Sequence, residues 1–343
     1  MARIAIIGLG LIGGSLGLAL KQSRLRDAEI AGFARSRETR EKARKMGAID
    51  VAATDAAHAV RDASVVIIAT PIAAIPDTME RIAPALSQNC VVTDAASTKH
   101  EVMRWAAELL PPQVDFIGGH PMAGKEQSGI DVAEATLFQG KPYGIVPSVH
   151  AKESAVNTIV GLTELIGATP VFMDAEEHDS YVAAVSHLPL VVSTALFSLA
   201  HNSAAWPEMS QLASSGFRDV TRLASGNPEM SEDICRTNQE NVVHWLDRMI
   251  AEMRKYRQLI QGDDDEALFK AFARVKLERD TFVTEGATPR KAAQPSESTI
   301  GLSDLLVGHW AAKRTREVMK AAEEKEPPTR RDRPARKRHT TER

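Results

Sequence analysis

Residues 116–129 read FIGGHPMAGKEQSG and set a single imidazole, His120, in a segment with few competing side chains. Gly118 and Gly119 permit close backbone approaches, and Pro121 fixes its own φ, so the ring is held by a stiff loop at the end of the apolar run VDFI. An imidazole changes charge near neutral pH, which suits proton transfer; a turn with a satisfied histidine is the alternative reading. TDAASTKH (93–100) follows another apolar run and offers the Ser97 hydroxyl and the Lys99 amine. AVSHLPLV (184–191) carries His187 within an apolar helical stretch, where a buried structural histidine is the alternative. GFRDVTRL (216–223) spaces Arg218 and Arg222 four apart, on one helical face, where Arg222 could clamp a carboxylate or simply be solvated.

A second chemistry lies at the start of the chain. GLGLIGGS (8–15) has glycines at Gly8, Gly10 and Gly13, directly after a strand-like run and opening a helix. In that context the three glycines serve, in order, a tight turn, close approach to a pyrophosphate, and close helix–strand packing. The phosphates meet the unpaired N–H groups of the helix start, which puts Leu11 and Ile12 at the cofactor as well. An acid at the end of the second strand would bind ribose hydroxyls. Here the strand ends FARSR (33–37), so Ala34, Arg35 and Ser36 line that edge, and Arg35 or Arg37 could pair with a 2′-phosphate. The cofactor is expected to be NAD or NADP, with NADP tolerated. Thr70 and Pro71 end another strand on the same rim, so Ser97 and Lys99 should lie near the nicotinamide.

The elements that position these residues alternate. Strand-like runs at 3–8, 29–34, 65–70, 90–95, 114–119, 143–148 and 169–174 are separated by helical patterns, which indicates a doubly wound parallel sheet covered on both faces. After about residue 174 strand signals stop. Long helices are expected over 175–201, 227–260 and 267–282. Three regions follow: a Rossmann-type dinucleotide-binding domain (1–174), an all-α substrate and dimerisation domain (175–284), and a charged, proline-containing extension (285–343), largely disordered. So much apolar helical surface in a small domain calls for a second copy of the chain.

Bulk properties exclude several classes. A chain of 343 residues with 43% hydrophobic and 25% charged residues has the make-up of a soluble globular protein. Its formal charge of -3 argues against nucleic acid or an anionic membrane as the main partner. Two distant cysteines, Cys90 and Cys235, lack metal-ligand spacing, so no metal site is expected and a reducing cytoplasm fits best. The apolar N-terminal run could pass for a signal peptide, but its glycines serve the nucleotide motif and Lys21 closes it too early for a membrane span.

Taken together, GLGLIGGS, DAASTK, GGHPMAGKEQSG, SHLPL, FRDVTR and NPEM resemble the prephenate/arogenate (cyclohexadienyl) dehydrogenase family of tyrosine biosynthesis over about residues 3–260. The resemblance implies a Rossmann domain followed by a helical dimerisation domain. It implies a cyclohexadiene substrate whose ring hydroxyl lies opposite a carbon bearing a carboxylate. By resemblance His120 takes the hydroxyl proton as hydride leaves for the nicotinamide, and loss of carbon dioxide then aromatises the ring. Ser97 orients histidine and hydroxyl, Arg222 binds a carboxylate, His187 meets the side-chain end, and Glu126 lies near the pocket mouth. Ser231 replaces an aromatic residue common in the family and Val191 a frequent glycine, which leaves pyruvyl against alanyl specificity open. Asp179 could meet an alanyl ammonium or be a structural acid. No chorismate-mutase segment ahead of Met1 and no regulatory domain behind residue 284 is expected. The competing readings are a β-hydroxyacid dehydrogenase or imine reductase, and a nucleotide sensor without chemistry.

Overall fold

The computed structural model describes residues 2–286 except 24, 26 and 27, so the expected extension lies, from residue 287 onward, outside the described residues. The described residues divide into two units, the first ending at Ile250 and the second beginning at Ala251. In the first, β1 (Ala2–Ile7), α1 (Leu11–Gln22), β2 (Ala28–Phe33), α2 (Arg37–Lys45), β3 (Val51–Ala52), α3 (Ala56–Val60), β4 (Val65–Ile68), α4 (Ile75–Ile82), β5 (Val91–Asp94), α5 (His100–Leu109) and β6 (Asp115–Pro121) follow one another. β7 (Pro142–Pro147), α6 (Glu153–Leu165) and β8 (Thr169–Phe172) complete an eight-stranded sheet of order β3-β2-β1-β4-β5-β6-β7-β8.

The period-two alternation of a strand is visible in the core. Ile4, Ile6, Val65 and Ile67 belong to the cluster on one face of the sheet. Ala5, Ile7, Val66 and Ile68 belong to the other. Strands buried on both faces read as continuous apolar runs, which is why β4 is VVII and carries no polar residue. The sheet departs from the expected all-parallel form at one seam, where β7 runs antiparallel to β6 with His120 opposite Gly144. The segment between them contains no crossover helix, only a short 3-10 turn at Ile130–Val132, so the chain returns in the opposite sense.

Two expected helices are broken. Over 175–201 the chain forms α7 (Ala175–Val182), a π-turn (Ala183–His187) and α8 (Leu188–His201). Pro189 has no N–H for the bond to Val185 and its ring would crowd that carbonyl; the wider turn relieves both. Then come α9 (Trp206–Gln211), α10 (Ser215–Thr221), a 3-10 turn (Arg222–Ser225) and α11 (Pro228–Thr237). α12 (Gln239–Gln261) starts after Asn238, whose φ of -127° and ψ of 34° end the preceding helix. α13 (Asp265–Glu285) lies in the second unit and contains the expected 267–282 stretch.

Candidate active site

The strand order reverses between β1 and β4, the place where open α/β sheets bind ligands. A cleft of about 480 Å³ opens there, lined by Gly8, Gly10, Phe33, Ala34, Arg35, Ser36, Thr70, Pro71 and Arg81 among others. The glycines behave as their spacing predicts. Gly8 has φ of 102° and a Cβ would strike the carbonyl of Ala69; at Gly13 it would strike the carbonyl of Gly8. Gly10 is different. Nothing lies within 4 Å of a Cβ built there, so its missing side chain leaves open space at the start of α1, room that a phosphate can occupy. Thr70 adds a buried hydroxyl without a hydrogen-bond partner among the described residues at the edge of the cleft. An open cradle at a helix start and an orphan hydroxyl fit a dinucleotide. Leu11 and Ile12 begin α1, half-buried against the core. Ser36 is taken up as the cap of α2, accepting from the Thr39 N–H at 3.3 Å. Arg35 stands exposed on the cleft wall with no acidic partner among the described residues.

His120 sits near the end of β6, 7% exposed. Its Nδ1 lies 2.8 Å from Nε2 of His178, and Nδ1 of His178 lies 2.7 Å from Oδ1 of Asp179. Asp179 also accepts the N–H of Lys99 at 2.7 Å and that of His100 at 2.9 Å, so it caps the start of α5. Asp179 thus makes the contacts of a structural acid. Asn238, at the break before α12, donates to the carbonyl of Asp179 at 2.7 Å and faces Nδ1 of His187 at 3.2 Å. That nitrogen accepts from the amide, so the neutral ring carries its proton on Nε2, which is buried without a partner among the described residues. Burial lowers the pKa of His187 to about 4, against the pull of Asp179. Burial, then His178, Lys99 and His187, hold the His120 pKa well below its ordinary value. Both rings are neutral near pH 7.

Lys99 is not an open group on the rim. Its amine is fully buried and paired with Asp94, because a buried ammonium needs a carboxylate. Asp94 also accepts the N–H groups of Ala96 at 2.8 Å and Gly119 at 3.0 Å, tying the Ser97 loop to the strand that carries His120. Ser97 is half-buried in that loop. Arg222 opens the 3-10 turn and pairs with Glu126, from the loop after β6; both side chains are substantially exposed. Arg218 lies one helical turn before it in α10. His178 and Asn238 were missed in sequence. The adjacent pair HD, beside the glutamates of EEHD, and the polar TNQEN inside a helical pattern were the available signals.

Two family profiles match the chain: one described as "Prephenate dehydrogenase, nucleotide-binding domain" over residues 16–172, the other as "Prephenate dehydrogenase, dimerization domain" over 174–274. The prephenate dehydrogenase of Bacillus subtilis (strain 168) is 36% identical over 279 residues, which is 81% of this chain and 75% of that protein. The arogenate dehydrogenase of Synechocystis has a TM-score of 0.70 and 32% identity, covering 82% of this chain and 99% of the other. The prephenate dehydrogenase of A. aeolicus, solved with hydroxyphenyl propionate and NAD+, has a TM-score of 0.76 and 28% identity, covering 82% and 98%.

Proposed function

The chain belongs to the prephenate dehydrogenase family, and from that membership we propose its reaction: oxidative decarboxylation of prephenate, arogenate or both, giving 4-hydroxyphenylpyruvate or tyrosine. The observation that carries this reading is His120, a buried neutral imidazole near the end of β6. When bound, NAD+ or NADP+ supplies the hydride acceptor. Gly8, Gly10 and Gly13 with Leu11 and Ile12 hold its phosphates, Thr70 and Pro71 flank it, and Ala34, Arg35 and Ser36 meet the adenosine end. Arg35, exposed and without an acidic partner among the described residues, supports tolerance of a 2′-phosphate.

His120 accepts the proton of the ring hydroxyl, and Ser97 orients that hydroxyl. Arg222 binds a substrate carboxylate after exchanging its partner Glu126 for it; Glu126 guards the mouth. His187 offers its orphan Nε2–H to the side-chain end of the substrate. Two copies of the chain associate through the helical domain, and the enzyme works in the cytoplasm on a small molecule, not on nucleic acid or a membrane. A steady-state assay of both substrates with both cofactors tests the whole reading. NAD(P)H formed from at least one pair is expected; none from any of the four pairs would remove it. A β-hydroxyacid dehydrogenase, by contrast, would need a free lysine base, and Lys99 is committed to Asp94.

A further inference from the structure

Resting on the reading of His120 as the base, we propose that His178 and Asp179 form a closed relay behind it, which stores the substrate proton during hydride transfer and returns it when the ring aromatises. The polarity of the chain follows from α5. The N–H groups of Lys99 and His100 point at the Asp179 carboxylate, which has only lone pairs to offer, so Nδ1 of His178 must donate to it. A neutral His178 then has a lone pair on Nε2 and accepts Nδ1–H of His120. That leaves Nε2 of His120 free to take a proton. Sequence offered none of this, because His120 and His178 lie in different halves of the chain.

The same 2.8 Å contact serves the second state without moving a heavy atom. As the hydroxyl proton reaches Nε2 of His120, the Nδ1 proton crosses to Nε2 of His178. The O–H electron pair becomes the carbonyl and the C–H pair leaves as hydride to the dinucleotide. On His178 the resulting cation lies against a carboxylate. It touches the Asp179 carboxylate at 2.7 Å, whereas His120 is surrounded by His178, Lys99 and His187, which disfavour positive charge. When the bond to the carboxylate breaks, its electrons aromatise the ring and the ring oxygen needs a proton again. His120 gives one from Nε2, and His178 restores the one on Nδ1. No proton is gained or lost overall. A relay that only stores has no need of an outlet, and His178 and Asp179 are each 1% exposed.

Two measurements on the full-length enzyme test this. In 15N spectra of the imidazoles without cofactor, His120 is expected to carry its proton on Nδ1; a proton on Nε2 would overturn the relay, and this reading needs no variant to fold. His178→Gln keeps an oxygen to accept from His120 but cannot take up a proton. It should lower kcat about thirtyfold with KM within about twofold, less than the hundredfold or more of a proton transfer to substrate itself because His120 remains, while cofactor affinity measured by fluorescence is unchanged. A fall in kcat of less than about tenfold would mean that His178 only orients the ring, and the relay is wrong. His120→Asn separates the two levels. It should turn over at least about a hundredfold more slowly, and normal turnover would sink the base itself, whatever His178 does.

Discussion

What His120 can do is decided by its surroundings more than by its type. Burial first, then the nearby His178, Lys99 and His187, depress its pKa well below 6.5, so the ring is an acceptor throughout the neutral range. The kcat/KM profile should accordingly stay flat from pH 8 down through 6.5 and decline only at lower pH, since protonation of the free enzyme's base removes activity. A decline centred at or above 6.5, measured with the preferred substrate, would contradict a desolvated base. The place of His120 near a strand end was readable, but the stretch 118–121 is itself strand, paired with β7, and not the stiff loop that its glycines and proline suggested. The His178 and Asp179 partners were not readable, since HD after two glutamates reads as ordinary helix-start acidity. Their role depends on a contact that only the folded chain makes. The pairing of Lys99 with Asp94 was hidden for a related reason, since it too depends on burial that only the folded chain creates.

Elements were legible where a periodic pattern and a turn residue agreed. The continuous apolar strands and the β1–α1 glycine turn follow from sequence directly. The antiparallel seam at β7 did not, because an apolar strand carries no sign of its direction. The breaks at Ala183–His187 and Asn238 were hidden by strong helical periodicity on both sides, although Pro189 was in view. At this scale Gly13 offers a sharp test. A side chain there collides with the Gly8 carbonyl, which is backbone and cannot swing away. Gly13→Val should therefore prise α1 from the β1 turn, costing about 1–3 kcal/mol as overpacking does, with cofactor affinity lost by at least about tenfold. Thermal melts and nucleotide fluorescence would check it; unchanged affinity would mean that α1 does not need its close approach.

For the whole molecule, two consequences follow from what is buried and what is left out. His187 has a pKa of about 4 when folded against an ordinary 6.5. Above pH 6.5 neither state holds its proton, so the residue contributes no pH dependence. Between 6.5 and 4 the unfolded chain binds a proton that the folded one refuses. Stability should then fall by about 1.4 kcal/mol per pH unit from this residue alone, with His120 adding in the same direction. Denaturant midpoints measured at pH 7 and pH 5 would reveal the loss.

The apolar surface leads to the last expectation. In α8 Leu199 is 77% exposed, and in the second unit Met253, Ile260 and Phe272 are 57%, 64% and 57% exposed. By length and hydropathy the run Ala175–His201 could even cross a membrane. Yet it carries His178, Asp179 and His187, all buried among polar partners of the site, which is how a helix of a soluble core treats its charges. A second copy of the chain is the cover that matches, given a matched dimerization domain over 174–274. Sedimentation velocity at micromolar concentration should give one species of twice the 37.3 kDa chain mass. Leu199→Arg, placing a charge on a face that has to lose water, should weaken that association by at least about tenfold, the cost of one poorly compensated buried charge. A wild-type monomer without lipid or detergent would show that the exposed apolar faces of α8, α12 and α13 serve some other contact.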